Sequence, residues 1–228
     1  MRDFRALACS LGSFALLTAG CSSDAETGFP EHPPKISITA LSAEVPERDI
    51  ALGDARLALA SLEFVPCDPH SAKLGTTDFR INLLVYPPSS LTLDSFVADY
   101  CRIEADLAPP TAEVPTVHFV GTRADGTPFE LTSTQTLKLD LDAVPAGHPF
   151  DPTKLVLGAD PATWLEGVDL EAAELTDDTV LIDADHNAEL LDAFEAATVS
   201  ALSLYVDAND DGLLTAAELA PVAETTVR

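Results

Sequence analysis

The chain has 228 residues, with 12 lysines and arginines against 38 aspartates and glutamates, for a formal charge of −26. A surface this acidic repels phosphate backbones and anionic headgroups, which excludes nucleic-acid binding and electrostatic docking to a bilayer, and it favours cations. Apolar residues make up 46% of the chain, enough for a packed core, so global disorder is excluded as well.

The N-terminus opens with Arg2 and Arg5, followed by an apolar run from Ala6 to Leu17. That run is too short to cross a bilayer core of roughly 30 Å as a helix, and it fits the apolar segment of a signal peptide. Small residues then lead to a cysteine in Leu17-Thr18-Ala19-Gly20-Cys21. This segment resembles the lipobox of bacterial lipoproteins. The resemblance implies that residues 1–20 are removed as a signal peptide and that Cys21 carries a diacylglyceryl group, with a further acyl chain such as palmitate on its new amino terminus. Each buried methylene contributes about 0.8 kcal/mol, so several chains anchor firmly. The membrane is then a partner through lipid alone. Ser22 after the cysteine resembles the pattern of outer-membrane sorting in Gram-negative bacteria. Residues 21–34 are polar and proline-rich, a flexible lipidated tether.

From Lys35 the pattern changes to a period of two, with Ile36, Ile38 and Ala40 alternating with Ser37 and Thr39. Further strands are expected in 55–66, Phe79 to Tyr86 and Tyr100 to Leu107, the last two stopped by Pro87-Pro88 and Pro109-Pro110. Thr116 to Gly121 and Thr127 to Thr132 flank Asp125-Gly126, the signature of a tight hairpin. Leu137, Leu139 and Leu141 alternate with Lys138, Asp140 and Asp142, a half-buried strand whose acids mark a wet face, and Leu155 to Leu157 is another short strand.

Asp160-Pro161 places a capping side chain and a proline at the start of a short helix ending near Gly167. Residues 187–198 form a second helix, with Leu190, Leu191, Phe194 and Ala197 on one face, and Val199 to Val206 is a strand. Strands of this length and spacing predict a mainly β fold, an antiparallel β-sandwich with two or three short helices, over residues 35–228.

Four cysteines occur. Cys9 lies in the signal and Cys21 takes lipid. That leaves Cys67 and Cys101, an even pair in an oxidising compartment and so a predicted disulfide. The alternative is a copper or zinc site built from Cys67, His70 of Cys-Asp-Pro-His and Cys101. It would need a further ligand from His32, His118, His148 or His186. The only methionine is Met1, so the processed chain offers copper no thioether. The combination of lipobox, β domain and sparse Cys and His is similar to that of metal-binding lipoproteins from methanobactin-type copper clusters.

The chemistry concentrates near the C-terminus, in Asp207-Ala208-Asn209-Asp210-Asp211-Gly212-Leu213-Leu214-Thr215-Ala216-Ala217-Glu218. Calcium takes six to eight oxygens. Asp207, Asn209 and Asp211 alternate, as side-chain ligands at positions 1, 3 and 5 of a loop must. The whole segment 207–218 resembles the EF-hand calcium loop. By that resemblance Gly212 permits the sharp turn, Leu213 offers its backbone carbonyl, Thr215 ligates directly or through water, and Glu218 closes the site with two oxygens. The flanks differ from the family: a strand precedes the loop, and Pro221 limits any following helix to one or two turns.

Asp183, Asp185 and Asn187 repeat the spacing in part. Ala188 replaces the glycine and Phe194 the final glutamate, so this stretch reads as a loop in which Asp185 or Asn187 caps the next helix. The sequence holds no nucleophile motif, no phosphate-binding glycine loop and no arrangement that selects a catalytic triad. The expectation is a non-enzymatic envelope lipoprotein with a structural or binding role and one calcium ion. Transition-metal binding and an unrecognised secreted enzyme are the alternatives.

Overall fold

In the computed structural model, residues 35–42, 44–45, 49–70, 74–92, 99–146, 149, 154–198, 200–209, 211 and 214–225 are described. The predicted signal peptide, Cys21 and the tether lie outside these residues.

Strands and two helices succeed one another in chain order: β1 (Lys35–Ala40), β2 (Glu44–Val45), β3 (Ile50–Pro66), β4 (Leu74–Asn82), β5 (Ser89–Thr92), β6 (Tyr100–Leu107), β7 (Val117–Thr122), β8 (Pro128–Ser133), β9 (Leu137–Ala143), β10 (Leu155–Ala159), α1 (Pro161–Glu166), β11 (Leu175–Thr176), β12 (Thr179–Ile182), α2 (Ala188–Thr198), β13 (Leu202–Val206) and β14 (Ala223–Thr225).

The architecture turns on β3. Along one edge it pairs first with β7, from Ala51 to Leu57, and then with β6, from Leu59 to Pro66. Its other edge takes β2 and then β4. Register shifts fall between Leu52 and Asp54 and between Leu59 and Ser61. Such bulges bend a strand and increase its twist. The bend lets β3 serve two layers: β7-β8-β12-β11 continues from its first half, and β6-β9-β14-β13-β10-β1-β5 from its second. The result is the expected mainly β, sandwich-like fold. Two of its pairings are parallel, β1 with β10 and β12 with β8, where the sequence predicted antiparallel neighbours throughout. Both parallel pairs join segments far enough apart in the chain to allow the crossover that parallel strands need.

Alternation places the core. In β9, Leu137, Leu139, Leu141 and Ala143 are buried while Lys138 is exposed and Asp140 and Asp142 are half-buried. In β10 every residue is buried. A Cβ on Gly158 would come within 2.7 Å of both the Tyr205 ring and a Leu41 methyl, so only glycine admits that close approach.

Helix α1 starts as its sequence requires. Asp160 accepts from the Ala162 N–H at 3.0 Å and from the Thr163 hydroxyl at 2.9 Å, with Pro161 at the first helical position. Trp164 of α1, Phe194 of α2 and Phe119 of β7 stack with centroids 5.0 to 6.3 Å apart and pin both helices to the sandwich.

Some boundaries differ from expectation. The strand expected at Val199 to Val206 is seen from Leu202; Ser200 and Ala201 instead turn back, their N–H groups donating to the Ala197 and Thr198 carbonyls, and Val199 lies outside the described residues. The motif ends in a turn at Ala216–Glu218, with the Glu218 N–H donating to the Thr215 carbonyl at 2.9 Å; among the described residues no helix follows before Pro221, and the chain enters β14 at Ala223. No helix among the described residues is long and apolar enough to cross a membrane.

Candidate functional site

Strand β13 carries the chain into the motif. Asp207 follows its last residue and is buried at 3% exposure, with its N–H donating to the Lys154 carbonyl at 2.8 Å. The first acid of the motif is therefore fixed against the sandwich. Asp211 turns back toward it: its N–H donates to Asp207 Oδ1 at 3.3 Å and to Asn209 Oδ1 at 3.1 Å. Asn209 in turn donates from Nδ2 to Asp211 Oδ2 at 3.1 Å. The short Asp and Asn side chains thus organise their own backbone, as they do in turns.

Glu218 closes the loop from the far side. Its Oε1 accepts from the Ala208 N–H at 2.9 Å, and its Oε2 accepts from the Thr215 N–H at 2.8 Å and the Thr215 hydroxyl at 2.6 Å. These donors, the Thr215 hydroxyl foremost and then its backbone N–H, hold the Glu218 carboxyl below the usual carboxylate range. Residues at positions 1, 2, 3, 5, 9 and 12 of the motif are thereby joined in one hydrogen-bonded turn. Asp210, Gly212 and Leu213 lie outside the described residues. Every polar side-chain group offered by Asp207, Asn209, Asp211, Thr215 and Glu218 is a hard oxygen or an amide, the donor chemistry calcium takes and copper does not prefer. Among the described residues, no three His, Cys, Asp or Glu side chains gather closely enough to hold a metal ion.

The second acidic stretch is structural. Asp183 Oδ1 accepts from the N–H groups of Asp185 and His186 at 2.8 Å each, and the His186 ring lies 3.0 Å from the same oxygen. Partial burial pushes the Asp183 carboxyl up, and these hydrogen bonds outweigh it and hold the carboxyl below its ordinary value. Asn187 does not cap α2 with its side chain. It donates from Nδ2 to the Glu174 and Leu181 carbonyls, and its Oδ1 accepts from Glu174 N–H. Only its backbone carbonyl serves the helix, accepting from Leu190 at 2.9 Å.

Cys67 and Cys101 form a disulfide, with Cα atoms 5.0 Å apart. It sits at the register shift that ends the β3–β6 ladder, where Cys67 follows Pro66 and Cys101 lies between Tyr100 and Arg102. Both thiols are consumed, so the copper or zinc centre imagined around Cys67, His70 and Cys101 loses its sulfur ligands. Elsewhere the histidines are dispersed: His70 is exposed, His118 Nε2 lies 2.9 Å from Glu130, His186 pairs with Asp183, and His32 and His148 lie outside the described residues.

Sequence reasoning missed a group on the outer face of β4, β3 and β7, where Asn82, Arg56 and His118 form one cross-strand row. These residues are remote in sequence, and only the register brings them together.

No family model matches the chain, and no curated protein matches it. Among solved structures it is similar to MbnP from Methylosinus trichosporium, at 9% identity and a TM-score of 0.44, over 65% of this chain and 81% of that one.

Proposed function

We propose that the protein is a lipid-anchored envelope lipoprotein, held through Cys21, whose β domain binds one calcium ion in residues 207–218 in a structural or binding role without catalysis. The observation that carries the calcium reading is the reach of Glu218. The last ligand position of the motif already spans the loop to Ala208 and Thr215, at 2.9 and 2.8 Å, with one carboxylate oxygen on each. Binding would exchange those N–H partners for the ion and draw Asp207, Asn209, Asp211 and the Leu213 carbonyl around it. The strand before the loop and the direct return to β14 after it differ from the helices of paired calcium sensors, so the expected role is to brace the fold.

Calorimetric titration of the chain lacking residues 1–20 with Ca²⁺ tests this. The expected result is one site with a dissociation constant of about 10⁻⁴–10⁻³ M, the range of extracellular modules. Heat no different from a buffer blank would end the calcium reading. The anchor is tested separately by radiolabelled palmitate: wild type incorporates label, and Cys21→Ala does not. Equal labelling of the two would contradict lipidation at Cys21.

A further inference from the structure

In a chain so poor in cations, the places where cations meet stand out. Arg56 of β3 lies directly between Asn82 of β4 and His118 of β7, and Arg80 of β4 lies opposite Ala58. By the two-residue period of a strand these side chains share one face. It is the outer face, because the alternating neighbours Leu57, Ile81, Val117 and Phe119 are buried in the core. Ala58 contributes only a methyl to this face, and a cavity of about 310 Å³ opens there, walled on its other side by Val114 and Pro115.

Of the arginines described, Arg80 differs from the other three. Arg102 and Arg123 are engaged with Glu104 and Asp125. Arg80 has no ion pair among the described residues. Arg56 bonds Asp54 Oδ2 through Nε at 2.8 Å. Asp54 also accepts from Asn82 Nδ2 at 2.8 Å and lies 3.7 Å from His118 Nδ1. It is thus a hub that fixes the row from behind and orients the Arg56 guanidinium. A guanidinium is the side chain that matches a carboxylate in two parallel hydrogen bonds.

We propose that this hollow binds a small organic carboxylate with an apolar body. Arg56 and Arg80 receive the carboxylate, and Ala58, Val114 and Pro115 cover the apolar part. The overall charge repels anions, so recognition here is local, and Asp54 is a positioning residue. The site is independent of the calcium loop and of the reading built on it.

The test is a titration of ¹⁵N-labelled protein lacking residues 1–20 with sodium benzoate, followed by amide shifts. Benzamide is the neutral isostere and inorganic phosphate the anion without an apolar body. Benzoate should produce saturable shifts at residues 56–58, 80–82 and 114–118. Benzamide, phosphate and the Arg80→Gln variant should each bind about tenfold more weakly or worse, as expected when one charge-assisted contact or the apolar cover is lost. Arg80 is exposed, so Arg80→Gln should unfold at the wild-type temperature, and Arg80→Lys should recover part of the affinity. The proposal is overturned by the absence of saturable shifts with millimolar benzoate. Equal binding of benzoate and benzamide, equal binding of benzoate and phosphate, or undiminished binding by Arg80→Gln would also overturn it.

Discussion

The Cys67–Cys101 disulfide and the 207–218 loop both close the chain on itself beside β9, by opposite means. The disulfide joins residues 34 apart covalently, at the end of a long antiparallel ladder. The loop returns the chain from β13 to β14 through hydrogen bonds centred on Glu218. What it returns matters, because three-residue β14 is the strand that links β9 to β13 within the second layer. A cavity of about 650 Å³ beside the disulfide is lined by Cys67, Cys101 and Arg102 together with Glu224 and Thr225 of β14, the strand that the loop feeds. One closure is permanent in an oxidising compartment. The other depends on charge, and so on pH and on any cation the loop takes up.

The largest effect is expected at the covalent closure. Replacing both Cys67 and Cys101 by serine should destabilise the protein by roughly 3–4 kcal/mol in the chain-entropy view of cross-links. The comparison requires the same loss with and without Ca²⁺, read as the shift in chemical denaturation midpoint at constant slope. A loss that Ca²⁺ abolishes would show that the two closures are not independent.

A second, smaller contrast lies within the loop. At free Ca²⁺ about 100 times its dissociation constant, binding contributes about 2.7 kcal/mol, and Asp210→Asn, at position 4 of the motif, a position that supplies no ligand in EF-hand loops, should keep nearly all of it. If Asp210→Asn removes the calcium effect, the ligand assignment along the loop is wrong.

The smallest effect concerns protons. The Glu218 carboxyl is held below its ordinary value of 4.5, so the folded state prefers it ionised. Its contribution to stability is complete above the unfolded value and fades as pH falls through the lower folded one. Thr215→Val removes the hydroxyl that is the largest cause of the shift. The Glu218 midpoint, followed by carboxyl NMR, should then rise toward the ordinary value. An unmoved midpoint would mean that the loop is not closed through Thr215.

The legible parts of the fold are those whose pattern is local. β6 and β9 alternate cleanly, and Asp160-Pro161 announces α1, so each appears where expected. β3 runs 17 residues, but its bulges break the alternation, and only 55–66 reads as strand. β11 and β12 were missed although Asp177 and Asp178, both with positive φ, form the tight turn between them, since two acids there look like any loop. β14 has no signature at all: three residues after Pro221 become a strand only because β9 and β13 leave a slot for them. The candidate site divides the same way. The spacing of Asp207, Asn209, Asp211 and Glu218 is readable, whereas the anchoring of Asp207 to Lys154 and the Arg56 row depend on segments packed from elsewhere in the chain.

Thermal unfolding of wild type and Glu218→Gln, each with and without millimolar Ca²⁺, tests the conditional closure most directly. Glu218→Gln deprives the loop of one charge and of the two-oxygen clamp that calcium takes at position 12. The account predicts that Ca²⁺ raises the wild-type melting temperature and leaves Glu218→Gln almost unchanged, with the disulfide intact in both. A wild-type melting temperature indifferent to Ca²⁺, or an equal rise in the variant, would contradict it.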